Sequence, residues 1–409
     1  MSAAIRRSFS SLQVRNYRLY FGGQLASLAG NWMQIVAELW LILLLTDSGA
    51  MVGLAAALQF SGILVFGALG GSLADRVDKR RLLMVTQFAM AAPALALFVL
   101  SLTGELTVAV VLSLIAVRGL VLAIDNPARQ SFVVEIVGRE RVFNAVSLNS
   151  VLVHSARIVG PALAGVLIAL WGVEACFALN AATFGVMFIA LLRMREADLS
   201  PAPIDRASGG VRAGLRYVLA TPELRTPLAL MAVLGTLGFN FQVILPLLAR
   251  FSFGGEISSY SALMIAMGVG AIVAALVNGS RARAGPALIA AAAGVFGIAS
   301  LLAAAAPTLP LEMLALVLLG AAAVTFAAAI NSALQLASVP EMRGRVMALY
   351  SIVFLGSTPI GGPIAGWVGE AIDPRASLAL AGIAGLAVAA AAALPILRDP
   401  TRLHPAAMG

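Results

Sequence analysis

The residues of this chain that could do chemistry are polar groups threaded through apolar runs. Gln24, Ser27, Asn31, Gln34 and Glu38 fall at spacings of 3, 4, 3 and 4. That period sets all five on one face of a helix, with Trp32, Ile35, Leu39 and Trp40 on its other faces. Arg118 and Asp125 lie seven residues apart and His154 and Arg157 three apart, each pair on one helical face. Later in the chain come uncharged amides: Asn240 and Gln242, then Asn331 and Gln335 one turn apart. Glu38 reads either as a carboxyl hydrogen-bonded to a neighbouring helix or as a cavity-lining acid that takes up a proton or a cation. His154 reads as a satisfied core residue or, with an ordinary pKa of about 6.5, as a proton carrier. The amides read as glue between helices or as contacts for a neutral solute. There is no Gly-x-x-x-x-Gly-Lys-[Ser/Thr] phosphate loop and no cluster with metal-ligand spacing. Nothing here asks for ATP hydrolysis, a metal, a cofactor or an enzyme's reaction.

The elements that must position these groups are long apolar helices. Of 409 residues, 61% are hydrophobic and 11% charged, whereas soluble domains carry roughly 25% charge. The chain is therefore expected to be an all-α integral membrane protein. Twelve candidate spans run near 17–45, 50–74, 82–103, 106–128, 144–170, 173–193, 225–249, 257–279, 286–306, 310–334, 346–371 and 376–397, each near the roughly 20 residues that cross a bilayer. All but four of the 27 basic residues fall at the termini or on even-numbered connections; the exceptions are Arg118 and Arg157 within spans and Arg250 and Arg375 on the other side. That asymmetry places both termini in the cytoplasm. It also explains the net charge of +8 without a nucleic-acid partner. Arg6-Arg7-Ser8-Phe9 reads as topology charges and not as a cleaved signal. A single cysteine, Cys176, excludes an internal disulfide.

The polar stretch from Arg195 to Leu224 divides the chain into domains 1–194 and 225–409 joined by a cytoplasmic linker, 195–224. The halves resemble each other. Gly160-Pro161 with Gly165 recurs as Gly362-Pro363 with Gly366, small residues that let helices approach closely. At matching offsets Asp125 becomes Asn331, Glu38 becomes Gln242 and Asp75 becomes Asn278. The expectation is that titratable groups serve the first half and amides the second.

Between spans 2 and 3 lies Gly71-Ser-Leu-Ala-Asp75-Arg76-Val-Asp78-Lys79-Arg80-Arg81. It resembles the loop of the major facilitator superfamily of transporters, Gly-x-Leu-x-Asp-Arg-x-Gly-Arg-[Lys/Arg], with Asp78 in place of the usual glycine. The alternative is a charge cluster that only sets topology. Asp125-Asn-Pro127-Ala-Arg129-Gln130, Asn144 to Asn149 and Arg157 to Gly165 resemble a bacterial exporter branch that includes enterobactin exporters and macrolide efflux pumps. The resemblance implies two parallel six-helix pseudo-repeats with a substrate site between them. It implies that Asp125 faces Lys79 and Arg80 and that Asp75 faces the start of span 11. With Gly71, Arg76 and Arg118, these residues would form a conformational latch or, alternatively, permanent salt bridges. Arg157 is expected to meet Asp125, Glu38 or a carbonyl. The implied function is a proton-driven exporter of amphipathic small molecules, a monomer in a bacterial inner membrane. A uniporter, an importer, a channel and a non-transporting sensor are the alternatives.

Overall fold

The computed structural model describes residues 10–138, 141–200, 210–279 and 285–398, which are helical without a strand. Six helices come first: α1 (Arg15–Thr46), α2 (Gly49–Arg76), α3 (Lys79–Thr103), α4 (Val108–Val137), α5 (Val142–Trp171) and α6 (Val173–Leu192). After the short α7 (Gly210–Ala220) come α8 (Pro222–Leu237), α9 (Phe241–Ser252), α10 (Ile257–Gly279), α11 (Pro286–Ala305), α12 (Leu309–Ala337), α13 (Pro340–Gly356), α14 (Thr358–Ala371) and α15 (Pro374–Arg398). Among the described residues, eleven helical stretches are long and apolar enough to cross a membrane, and α5, apolar over Ser155–Trp171, adds the twelfth.

Two compact units are formed by Met1–Leu45 with Ser61–Ser208, and by Thr46–Phe60 with Gly209–Gly409. In the first, glycine sets the helix spacing. A Cβ on Gly62 or Gly70 of α2 would overlap the carbonyls of Gly119 or Ala123 on α4, and one on Gly160 of α5 would overlap Ala29, Trp32 and Met33 of α1. α1 is the most enclosed helix, 72% buried over its apolar window, so its polar stripe must find protein partners. The α2–α3 turn is closed by Asp78, which departs from the glycine of the resembling loop. It adopts φ −59° and caps α3 by accepting from the Arg81 N–H at 2.8 Å.

In the second unit, the stretch Pro222–Ser252 is one span broken into α8 and α9 at Gly238-Phe239-Asn240. The Asn240 side-chain N–H donates to the Thr236 carbonyl at 2.7 Å, recovering an acceptor freed by the break. Phe239 sits in the break with its ring 5.4–6.3 Å from those of Phe241, Phe296, Phe326 and Phe354. Met342–Ala371 is broken likewise at Ser357, where Pro359 in the next turn has no N–H to continue the ladder. The start of α2 belongs to this unit. Glu370 accepts from Ser48 Oγ at 2.7 Å and from the Ala50 N–H at 2.8 Å, and Asp47 pairs with Arg250 at 3.0 Å. Gly49 and Gly53 lie backbone to backbone with Gly366 and Gly362, with Pro363 beside them.

Candidate functional site

The stripe on α1 is satisfied entirely within the first unit. Glu38 forms an ion pair with Arg118 of α4, with side-chain exposures of 1% and 4%. Arg118 also donates to Asn31 at 2.7 Å. Gln34 donates to the second carboxylate oxygen of Glu38 at 2.7 Å and accepts from Asn180 of α6. One turn and more toward the start of α1, Gln24 accepts from Arg129 and Ser27 donates to Gln87 at 3.5 Å. Asp125 pairs with Arg129 on its own helix and accepts from Thr86 at 2.6 Å and Gln87 at 3.0 Å. A centred charge in a span costs about 2.5–3.5 kcal/mol on insertion scales; here each acid has a cation and neutral donors to offset that cost.

This arrangement corrects two expectations. Asp125 does not face Lys79 and Arg80: it lies about two turns further along α3, against Thr86 and Gln87, because Arg129 occupies it. Arg118 belongs to the Glu38 network and not to the loop. Lys79 instead pairs with Glu135 at 2.7 Å, near the end of α4. Arg80 donates to the Leu191 and Leu192 carbonyls at 2.7 and 3.0 Å and pairs with Glu196. It is thus a cation on the terminal carbonyls of α6, which lack a partner within the helix. Arg76 is exposed. Arg157 stacks over the Trp32 ring at 5.0 Å, the two acids having taken other cations. Gly71, Asp75 and His154 fall in helical turns whose side-chain surroundings lie outside the described residues.

In the second unit, Gln335 is exposed and donates to Asn331 at 2.6 Å. Asn278 donates to Thr325 at 3.2 Å. Oδ1 of Asn240 and Oε1 of Gln242 are buried with no hydrogen bond among the described residues. The expectation that this half holds only amides is corrected by Glu312, fully buried on α12. Sequence reasoning also missed Asn180, Arg129, Glu135 and Gln87. Asn180 is the one strongly polar residue in the apolar body of α6, after Glu174 in its first turn. That isolation was the available signal.

Comparison with known proteins fits this architecture. The sequence pattern of the transmembrane secretion effector family, a branch of the major facilitator superfamily, matches residues 6–403. The chain belongs to that family. Among its relatives, the enterobactin exporter EntS of Salmonella choleraesuis is 27% identical over 371 residues, 89% of this chain and 87% of that protein. The staphyloferrin A transporter of Staphylococcus aureus is 24% identical over 264 residues, 64% of this chain and 66% of that one. The fold is shared with a bacterial homologue of the human lysosomal transporter Spinster, solved inward-facing and unoccupied (TM-score 0.71, 17% identity, 99% of this chain and 100% of that one). It is shared also with the nucleoside transporter NupG (TM-score 0.72, 14% identity, 94% and 98%). The chain is thus a multi-pass membrane transporter of the major facilitator fold.

Proposed function

We propose that this chain is a proton-coupled exporter of amphipathic small molecules, siderophores or drugs, working by alternating access in a bacterial inner membrane. It acts as a monomer with both termini cytoplasmic, through bundles 1–194 and 225–409 joined by the linker 195–224. The observation that carries this reading is the buried Glu38–Arg118 pair joining α1 to α4. A proton on Glu38 removes the charge that holds Arg118, leaving it only neutral acceptors, Asn31 and the carboxyl itself. The charged and neutral forms of Glu38 therefore favour different packings of α1 against α4, and a proton gradient shifts the populations by their difference in proton affinity. Asp125 with Arg129 is a second candidate of the same kind. The amides Asn240, Gln242, Asn331 and Gln335 supply neutral hydrogen bonds to the transported molecule. The substrate class is supported by the names of the relatives, an enterobactin exporter and a staphyloferrin A transporter.

Inside-out vesicles bearing the chain, given labelled enterobactin, staphyloferrin A or a macrolide, test this. Uptake that needs an imposed proton gradient and stops on adding an uncoupler is expected. Uptake indifferent to the uncoupler contradicts proton coupling, and no uptake of any of the three contradicts the substrate class.

A further inference from the structure

Glu312 lies in the first turn of α12 with no exposure to solvent. Both of its carboxylate oxygens are buried and neither has a hydrogen-bond partner. A carboxylate in that state carries the full desolvation cost of its charge, several kcal/mol on the order of a Born penalty after relaxation. The other buried acids, Glu38, Asp125 and Glu135, are each paired with a cation. Glu312 therefore differs in kind from them.

The helices against it offer little charge. α11, packed along α12, contains no titratable residue at all, and α10 contributes only Tyr260 within its span, with Glu256 exposed just before it. On α8 and α13, Glu223, Arg225, Arg343 and Arg345 sit in the opening turns; α13 opens just past the end of α12, which is about 40 Å long and carries Glu312 at its start. Among the described residues, Arg375, at the start of α15, is the cation that acts on Glu312 through space. It forms no ion pair with it; its guanidinium stacks over the Phe253 ring at 5.7 Å. The hydroxyls of Ser261 on α10 and Ser300 on α11 are also buried without a partner, so they compensate no charge.

We propose that Glu312 is a proton-binding site of the second unit, holding a neutral carboxylic acid in this conformation. Loss of the proton to water gives a carboxylate whose available counter-ion is Arg375, drawn from Phe253. The site is thus a two-state element joining the starts of α12 and α15, and it stands whether or not the first unit couples export to protons.

The test is infrared spectroscopy of the full chain in liposomes, following the C=O stretch of protonated carboxylic acids as pH is raised. Wild type should show such a band, Glu312→Gln, an isostere of the protonated acid, should lose it, and Glu312→Asp should keep it at a shifted frequency. Arg375→Gln should move the pH at which the band disappears upward by about one unit or more, since an opposite charge favours the carboxylate. A band unchanged by Glu312→Gln, or no titration shift in Arg375→Gln, would overturn the proposal. The readout needs no transport, so a failed export assay leaves it intact.

Discussion

Glu38 on α1 and Arg118 on α4 form an ion pair almost wholly removed from solvent, 80 residues apart in sequence. Its geometry makes a stability prediction. Removing one partner of a buried pair strands the other and costs about 3–5 kcal/mol, whereas replacing both with apolar groups is often nearly neutral. Glu38→Leu and Arg118→Met should each lower the melting temperature in detergent, and the double variant should recover most of the loss. A double variant as unstable as the sum of the singles would show that the pair is not the contact that matters.

Asp125 should be more demanding than its neighbours. It receives Thr86, Gln87 and Arg129 together. Asp125→Asn leaves Arg129 buried without its counter-charge, while Thr86→Val removes one hydrogen bond, worth about 1 kcal/mol. Thermal unfolding of the two variants should therefore differ by several-fold in destabilisation, with Asp125→Asn the larger.

The fold was legible because a span needs only about 20 apolar residues and a basic turn, and the α1 stripe was legible from its period. Pairing was not. Two acids, Glu38 and Asp125, and three cations, Arg118, Arg129 and Arg157, admit several matchings, and helix rotation decides among them. Arg129 was read beyond the end of span 4, yet α4 runs on to Val137. The break at Gly238-Phe239-Asn240 was hidden inside a run apolar enough to pass as one helix. Glu312 was not singled out in the sequence, where it is an acid following Pro310 at a helix start; only the packing shows it enclosed.

The α2–α3 turn supplies a contrast of burial. Lys79–Glu135 is enclosed, with side-chain exposures of 9% and 8%, while Glu196 opposite Arg80 is 65% exposed. Glu135→Gln should destabilise the protein by about 3 kcal/mol or more, and Glu196→Gln by less than about 1. Equal losses on thermal unfolding would contradict the assigned burial.

Gly53 should tolerate nothing larger. A Cβ there would overlap the Gly362 backbone and Pro363, while one on Gly22 meets nothing within 4 Å. Gly53→Leu should cost on the order of 1–3 kcal/mol or more through overpacking and reduce the monodisperse fraction on size exclusion; Gly22→Leu should behave as wild type.

The most direct test of the functional account is proton movement in liposomes that enclose a pH-sensitive dye. Wild type, Glu38→Gln and Asp125→Asn would each be challenged with enterobactin. The account predicts substrate-dependent proton flux in wild type that at least one of the two variants abolishes while remaining folded. Substrate crossing with no proton movement, and with both variants equal to wild type, would contradict it and leave the two acids with a structural role.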